Sequence, residues 1–180
     1  MKTIIFDTET TDLLKPVKTN LIYQPCLTEI FCLLIDDEYH QLDTFHRLVN
    51  PEIPIPQYIT RLTGIDDYMV ADAPTYKEIH KKLSKFLKKA DRIVAHNLMF
   101  DLRILEIQAK KIKKKLRFPK IKFCTVENSM WVKGYRLKNS ELYKIATGEK
   151  EIEGAHRAER DVRATAKSFK WLLEKLNQKR

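Results

Sequence analysis

The chain has 180 residues, of which 43% are hydrophobic and 32% are charged, a balance typical of one globular domain with one core. No apolar run approaches the length of a membrane span, and the N-terminus lacks the apolar core of a signal peptide. The net charge of +10 favours a polyanionic partner, most commonly nucleic acid. The three cysteines form no CxxC pair and indicate free thiols in a reducing compartment. We therefore expect a single domain over 1–180 that is cytoplasmic and has no membrane partner.

The first third of the chain is extended in character. Apolar and β-branched runs predict strands over Lys2–Asp7, Glu29–Ile35 and Tyr39–Val49. Acidic residues between the second and third runs predict a hairpin turn. Three prolines at positions 51 to 56 then interrupt any regular pairing.

The rest of the chain alternates helical and extended patterns. Short strands are predicted over Ile93–Ala95 and Ile121–Cys124. Helices are predicted over Gln57–Leu62 (closed by Gly64), from Pro74 through Leu87, over Leu98–Lys110 (with Asn97 as N-cap), Val126–Val132, Ser140–Thr147 and Ala158–Leu176. This succession predicts an α/β layered domain whose mixed central sheet, flanked by helices, has a hairpin side and a crossover side.

Two carboxylates stand at the end of the first predicted strand and just beyond it. Asp7 and Glu9 are two residues apart, so in an extended chain both side chains lie on one face. Neighbouring carboxylates repel each other unless a cation lies between them. An Asp-x-Glu pair also arises by chance, but this one stands where open α/β sheets carry ligand sites.

Two further segments combine histidine with aspartate. His96 ends a predicted strand, and Asp101 falls in the first turn of the following helix, where an acid is also favoured by the helix dipole. His156 and Asp161 stand at the start of the last predicted helix, with Gly154 upstream to permit a loop. Taken alone, this segment is more typical of a surface histidine ahead of an amphipathic helix.

In this order the three segments resemble the DEDD exonuclease superfamily, in its histidine-bearing DEDDh branch of DnaQ-like 3′–5′ exonucleases. That branch includes the proofreading epsilon-type domains of bacterial replicases. The motifs are Phe6-Asp-Thr-Glu-Thr10, Ala95-His-Asn-Leu-Met-Phe-Asp101 and His156-x-Ala-x-x-Asp161, and the resemblance spans essentially the whole chain. It implies a ribonuclease H-like fold and one exonuclease domain over 1–180.

The resemblance also implies roles for individual residues. Asp7, Glu9, Asp101 and Asp161 would hold two Mg²⁺ or Mn²⁺ ions, for which carboxylate oxygens are suitable ligands. His156 would act as general base, and a nucleoside 5′-monophosphate would leave a 3′ end. The residues implied in substrate binding are Thr8, Thr10, Leu62, His96, Asn97 and Phe100. Of these, Leu62 and Phe100 would pack against terminal bases, and Asn97 has the second reading of a helix cap.

Two positions depart from the family pattern without removing an implied ligand. Asp12 stands where members of the family usually have glycine, and Arg157 follows the histidine where many members have aspartate. A positive charge at Arg157 could depress the pKa of the proposed base or could bind a substrate phosphate. Both readings stay open at this point.

A basic stretch carries eight lysine and arginine residues between positions 110 and 122 and no acid. It is either a solvated surface or a track for the phosphates of a bound strand. The function implied is 3′–5′ degradation of single-stranded or frayed DNA, with a DNA polymerase as a further partner. The alternatives are a 3′–5′ exoribonuclease and a non-catalytic module that docks on a polymerase.

Overall fold

The computed structural model describes residues 1–149 and 157–178, which are built around a five-stranded mixed sheet. The strands are β1 (Thr3–Thr10), β2 (Leu27–Ile35), β3 (Gln41–Leu48), β4 (Arg92–Ala95) and β5 (Ile121–Cys124). Their order across the sheet is β3-β2-β1-β4-β5. The pairs β1–β2 and β2–β3 are antiparallel, whereas β1–β4 and β4–β5 are parallel. The predicted hairpin and crossover sides are therefore confirmed.

Helices cover both faces of this sheet. The described part of the chain contains α1 (Gln57–Thr63), α2 (Asp67–Val70), α3 (Tyr76–Leu87), α4 (Leu98–Lys111), α5 (Thr125–Lys133), α6 (Asn139–Thr147) and α7 (Ala158–Gln178), with a 3-10 turn at Leu21–Tyr23. Gly64 ends α1 with a φ of 71°, a left-handed conformation that glycine adopts at little cost. The sequence pattern did not indicate α2, because four residues are too few to show helical periodicity.

Alternation along β1 divides the core into two layers. Ile4 and Phe6 face the cluster that includes α3 and α4, whereas Ile5 faces the cluster that includes Ala158 and Val162 of α7. Strand β2 is buried at all nine positions because it has helices on both faces and a paired strand on each side. The site must therefore open at a sheet end, since the faces are covered.

The predicted element positions agree with the structure apart from their ends, with two differences that affect the site. Strand β1 continues to Thr10, because Thr10 pairs with Leu27 across a register shift. Asp7 and Glu9 consequently lie inside the strand. Asn97 stands at the N-cap position of α4, as predicted, but its side chain makes no capping hydrogen bond. Its left-handed backbone (φ 66°) differs from the extended conformation that lets an N-cap side chain reach the first turn.

Two findings bear on the expected surroundings of the protein. All three cysteines are free thiols, as their spacing predicted. Within the ranges that the structure describes, no helix is both long enough and apolar enough to cross a membrane.

Candidate active site

Three carboxylates meet where β1 passes beneath the start of α7. Asp7 and Glu9 lie on the same face of β1 as Ile5, and this face packs against α7. Asp161 projects from the first turns of α7. One carboxylate oxygen from each of the three residues lies within 4.8 Å of the other two. The two-residue spacing in the first motif thus has the consequence that the sequence predicted.

Asp101 joins this group from the other side of β1. Strand β4 pairs with β1 only as far as Ile5, so no strand of the described ranges lies beside the later part of that edge of β1. The Asp101 carboxylate occupies that edge, where its Oδ1 accepts hydrogen bonds from the Thr8 backbone N–H (3.1 Å) and the Thr8 hydroxyl (2.7 Å). Asp101 is only 1% exposed. The early end of β4 therefore creates the space for the fourth carboxylate.

The group carries a concentrated negative charge. Burial raises the pKa of Asp7 well above its ordinary value, and the nearby carboxylates of Asp101 and Glu9 raise it further. Burial and the charges of Asp161 and Glu29 raise the pKa of Glu9 to about 8. The pKa of Asp101 rises to about 7 because of burial, which the hydrogen bonds from Thr8 partly offset. Such repulsion disfavours the charged forms unless a cation compensates them.

These residues fit a divalent-cation centre. The Asp101 Oδ2 atom is buried and has no hydrogen-bond partner among the described residues, although an unpaired buried oxygen is costly. A bound cation would satisfy it. The four donors are all carboxylates, which is the ligand chemistry that Mg²⁺ and Mn²⁺ prefer. The acidic group and the orphaned oxygen thus support the metal site that the sequence predicted.

A residue that the motifs did not indicate supports Asp161. Asn139, the first residue of α6, donates from its side-chain amide to the Asp161 carbonyl (3.2 Å) and carboxylate (3.1 Å). Thr165 donates its hydroxyl to the Asn139 side-chain oxygen at 3.2 Å. Asn139 therefore restrains the direction in which the carboxylate points. No local pattern links positions 139 and 161, so only the packing of α6 on α7 reveals this contact.

The predicted substrate-binding residues fall into different environments. Leu62 is 52% exposed and lines an open cleft of about 510 Å³ between the end of α1 and the start of α7. Phe100 is partly buried against the core. The side chains of Thr8 and Thr10 are buried, and their hydroxyls donate to Asp101 and to the Asp12 carbonyl, respectively.

The predicted histidine and asparagine of the second motif contact protein groups. His96 Nε2 lies 3.1 Å from the Leu137 carbonyl and must donate to it, so Nδ1 accepts from the Thr125 hydroxyl at 2.9 Å. Burial lowers the pKa of His96 to about 4, which keeps the ring neutral. Asn97 accepts a hydrogen bond from Arg136 through its side-chain oxygen at 3.1 Å. Both ring nitrogens of His96 therefore have structural partners.

His156, the proposed base, lies outside the described residues. The residue that follows it, Arg157, pairs with Glu29 of β2. The motifs gave no role to Glu29, yet its position carried a signal, because it is the one charged residue in a strand that is otherwise apolar apart from a threonine.

Comparison with known proteins identifies the class of this chain. The exonuclease family model RNase_T matches residues 4–169, so the chain belongs to this exonuclease family. This match confirms the resemblance to exonucleases seen in the motifs. The mixed sheet flanked by helices is the ribonuclease H-like fold that solved exonuclease structures share.

Curated relatives include much longer proteins. The chain is 38% identical over 177 residues to a DNA polymerase III PolC-type protein of Caldanaerobacter subterraneus subsp. tengcongensis, covering 97% of this chain and 12% of that protein. It is 29% identical over 147 residues to a 3′–5′ exonuclease DinG of Staphylococcus epidermidis, covering 76% of this chain and 15% of that protein. The chain thus spans less than one-sixth of the length of either relative.

Solved structures share the fold at low sequence identity. Exonuclease X, in complex with 5′ overhanging duplex DNA, superposes with a TM-score of 0.69 at 23% identity, covering 96% of this chain and 92% of that one. The nuclease domain of 3′hExo, a DEDDh family member bound to rAMP, gives 0.72 at 19% identity, covering 97% and 92%. At these identities the likeness concerns the fold alone.

Proposed function

We propose that this protein is a metal-dependent 3′–5′ exonuclease that acts on single-stranded or frayed DNA ends. The observation that carries the proposal is the convergence of Asp7, Glu9 and Asp161 within 4.8 Å. Asp101, one of whose buried oxygens has no hydrogen-bond partner among the described residues, would complete the group. Membership of the exonuclease family supports the same reaction class.

The four carboxylates would hold two divalent cations, Mg²⁺ or Mn²⁺. When bound, such a pair supplies Lewis-acid chemistry that favours attack by water on a phosphodiester and departure of the 3′ oxygen. The protein's own contribution is the placement of the ligands: Thr8 fixes Asp101, and Asn139 restrains Asp161. Placement within a fraction of an ångström matters because the attack must be in line.

A base is needed to take the proton from the attacking water. His156 is the proposed base, accepting that proton on an imidazole nitrogen. An oxygen–phosphorus bond then forms as the bond between phosphorus and the 3′ oxygen breaks. The products are a nucleoside 5′-monophosphate and a strand that is shorter by one residue and ends in a 3′ hydroxyl.

Substrate contacts follow from the surroundings of the acidic group. Leu62 offers an exposed apolar side chain at the cleft edge, and Phe100 stands one residue before Asp101. These two are the proposed contacts for terminal bases, because every base presents an apolar face. Backbone groups near Thr10 are the proposed contacts for the terminal nucleotide, since the Thr10 hydroxyl is already hydrogen bonded.

DNA is the favoured substrate because the 38% identical relative is a DNA polymerase III PolC-type protein. Docking on a DNA polymerase is a proposal that rests on the same likeness. The second candidate is an exoribonuclease, favoured by the fold shared with a nuclease domain bound to rAMP. A non-catalytic docking module is disfavoured, because such a protein would have no need to keep all four carboxylates together.

The test is digestion of 5′-labelled DNA and RNA strands of identical sequence with Mg²⁺, Mn²⁺ or EDTA. We expect a ladder that shortens from the 3′ end with either metal, disappears in EDTA and is absent for Asp7→Ala. Faster loss of RNA than of DNA would establish the exoribonuclease. Intact strands under every condition would contradict a free-standing enzyme and favour a docking module.

A further inference from the structure

Glu29 is a buried acid beside the acidic group, but it differs from the four proposed ligands. It lies on β2 directly opposite Glu9 of β1 and is 1% exposed. Its two oxygens accept four hydrogen bonds, from His46 Nε2 (2.8 Å), Arg157 Nη2 (3.0 Å), Arg157 Nε (3.1 Å) and the Ala158 backbone N–H (3.1 Å). Both oxygens are therefore satisfied by the protein, whereas Asp101 keeps one without a partner among the described residues.

This saturation explains why Glu29 is charged although it is buried. Burial opposes the charged form, but the hydrogen bonds from Arg157, His46 and the Ala158 N–H outweigh it and lower the pKa of Glu29. A buried carboxylate is tolerated when such partners surround it, and loss of one partner leaves an uncompensated charge. Glu29 is thus suited to anchor other groups rather than to bind a cation.

The groups anchored by Glu29 belong to the start of α7. Arg157 stands immediately before the helix, and Ala158 is its first residue, so its N–H has no acceptor within the helix. A carboxylate at this end is also favoured by the helix dipole. Glu29 and Arg157 are 128 positions apart in the chain. One side chain of the sheet therefore fixes where the helix that carries Asp161 begins.

We propose that Glu29 and Arg157 form a positioning pair that sets Asp161 against Asp7 and Glu9. The pair would act through the first turn of α7, which carries Asp161 three residues after Ala158, and not as a ligand of the cation. It rests on the proposed function in one respect, namely that the acidic group is the reactive centre. Arg157 lines the same cleft as Leu62, but its guanidinium donates two hydrogen bonds to Glu29, so the proposal makes it a support for α7 rather than a contact for a substrate phosphate.

The experiment measures kcat and KM separately on one DNA oligonucleotide at saturating Mg²⁺. We expect Arg157→Met to lower kcat by about 10- to 100-fold, the usual effect of losing support for a ligand, with KM essentially unchanged. Arg157→Lys should recover part of the loss, since it keeps the charge but not the two-point contact. The double variant, Glu29→Gln with Arg157→Met, should have a kcat no lower than that of the less active single variant, because the two residues act as one unit.

A matched control uses the exposed pair that Lys89 and Asp43 of β3 form at 2.6 Å, neither of which lines the cleft beside Leu62. Asp43→Asn and Lys89→Met should leave kcat close to that of the wild type. A rise in KM at unchanged kcat for Arg157→Met would overturn the proposal, because it would identify Arg157 as a phosphate contact. Independent, multiplicative effects of the two substitutions would overturn it as well.

Two further readouts separate failure of this inference from failure of the proposed function. Thermal melting identifies variants that do not fold, and the partly exposed Arg157 carries the test if the buried Glu29→Gln variant unfolds. Binding of Mn²⁺ to the intact protein does not depend on catalysis. If the wild type degrades no substrate, the proposed function fails, and the Mn²⁺ affinity of Arg157→Met then tests the positioning pair. We expect a weaker affinity than that of the wild type, and an unchanged affinity would overturn the positioning role.

Discussion

Single hydrogen bonds decide how the acidic group is held. Thr8 provides the clearest case, because its backbone N–H and its hydroxyl both donate to the same oxygen of Asp101. The motif predicted Thr8 as a substrate contact, but its side chain is buried and directed at a proposed ligand. We therefore propose that Thr8 orients Asp101, and its contact with substrate stays a prediction.

Thr8→Val tests this role at the level of one atom. Valine keeps the β-branched shape and the backbone N–H but removes the hydroxyl that lies 2.7 Å from Asp101. We expect a loss of about 10- to 100-fold in metal affinity or activity, as is usual for a group that orients a ligand. Titration of activity with Mg²⁺ measures it, and Thr44→Val, on an exposed strand, serves as the control. Equal Mg²⁺ dependence of wild type and Thr8→Val would contradict the role.

The sequence indicated the four proposed ligands more readily than the residues that support them. Asp7, Glu9, Asp101 and Asp161 are recognisable because their spacing recurs in a known family. Glu29 and Asn139 have no such local signature, because their partners lie on other elements and become neighbours only through packing. The position of Glu29 in an otherwise largely apolar strand indicated that this acid is unusual. That position did not indicate which residues its carboxylate contacts.

Element boundaries shape the site as much as the residues do. The periodic patterns located β1, β4 and α4, because a buried strand and an amphipathic helix have distinct hydrophobic periods. They could not predict that the pairing between β4 and β1 stops at Ile5, since that depends on where the chain leaves β4 to enter α4. This early end leaves the Thr8 N–H available to Asp101 and brings α4 into the site.

The meeting of β1, α4 and α7 makes the metal-free protein sensitive to pH. Raised carboxylate pKa values mean that the folded state binds protons more tightly than the unfolded state, so stability falls as pH rises through this window. The window runs from the ordinary values of 3.8 for Asp101 and 4.5 for Glu9 up to about 7 and about 8, respectively.

Melting temperatures in EDTA should therefore fall between about pH 5 and about pH 8, over the window of these raised pKa values. Mg²⁺ should raise the melting temperature more at the upper end, where the carboxylates are charged and bind it best. Asp101→Asn removes one charge and should show a shallower fall. A Mg²⁺ effect that is larger at the acidic end would contradict the assignment of these acids as ligands.

On the scale of the whole molecule, the basic stretch, which begins at the end of α4, lies near α3. Burial lowers the pKa of His80 of α3, and the nearby charge of Lys114 lowers it further. The structure keeps this stretch largely at the surface. A solvated face and a phosphate track would both lie there, so neither the sequence nor the fold distinguishes them. The distinction requires a binding measurement.

The charge replacement Lys113→Gln, Lys114→Gln and Lys115→Gln tests the phosphate track. Each phosphate contact with a single strand contributes about 0.7 to the slope of log affinity against log salt. We expect the triple variant to lose up to about two units of slope, with unchanged cleavage of a dinucleotide too short to reach the stretch. The control variant also removes three positive charges, but from α6 and α7: Lys144→Gln, Lys170→Gln and Lys175→Gln. Equal slopes for both triple variants would show that this stretch is only a solvated face.

The central claim is that the four carboxylates form a cation centre that cuts nucleic acid. Counting Mn²⁺ bound per chain by electron paramagnetic resonance, with cleavage measured on the same samples, tests it most directly. We predict about two Mn²⁺ ions per wild-type chain, and for Asp101→Asn a loss of ion binding that parallels the loss of cleavage. Full cleavage by a sample without bound metal, or by Asp101→Asn with its ions lost, would contradict the claim.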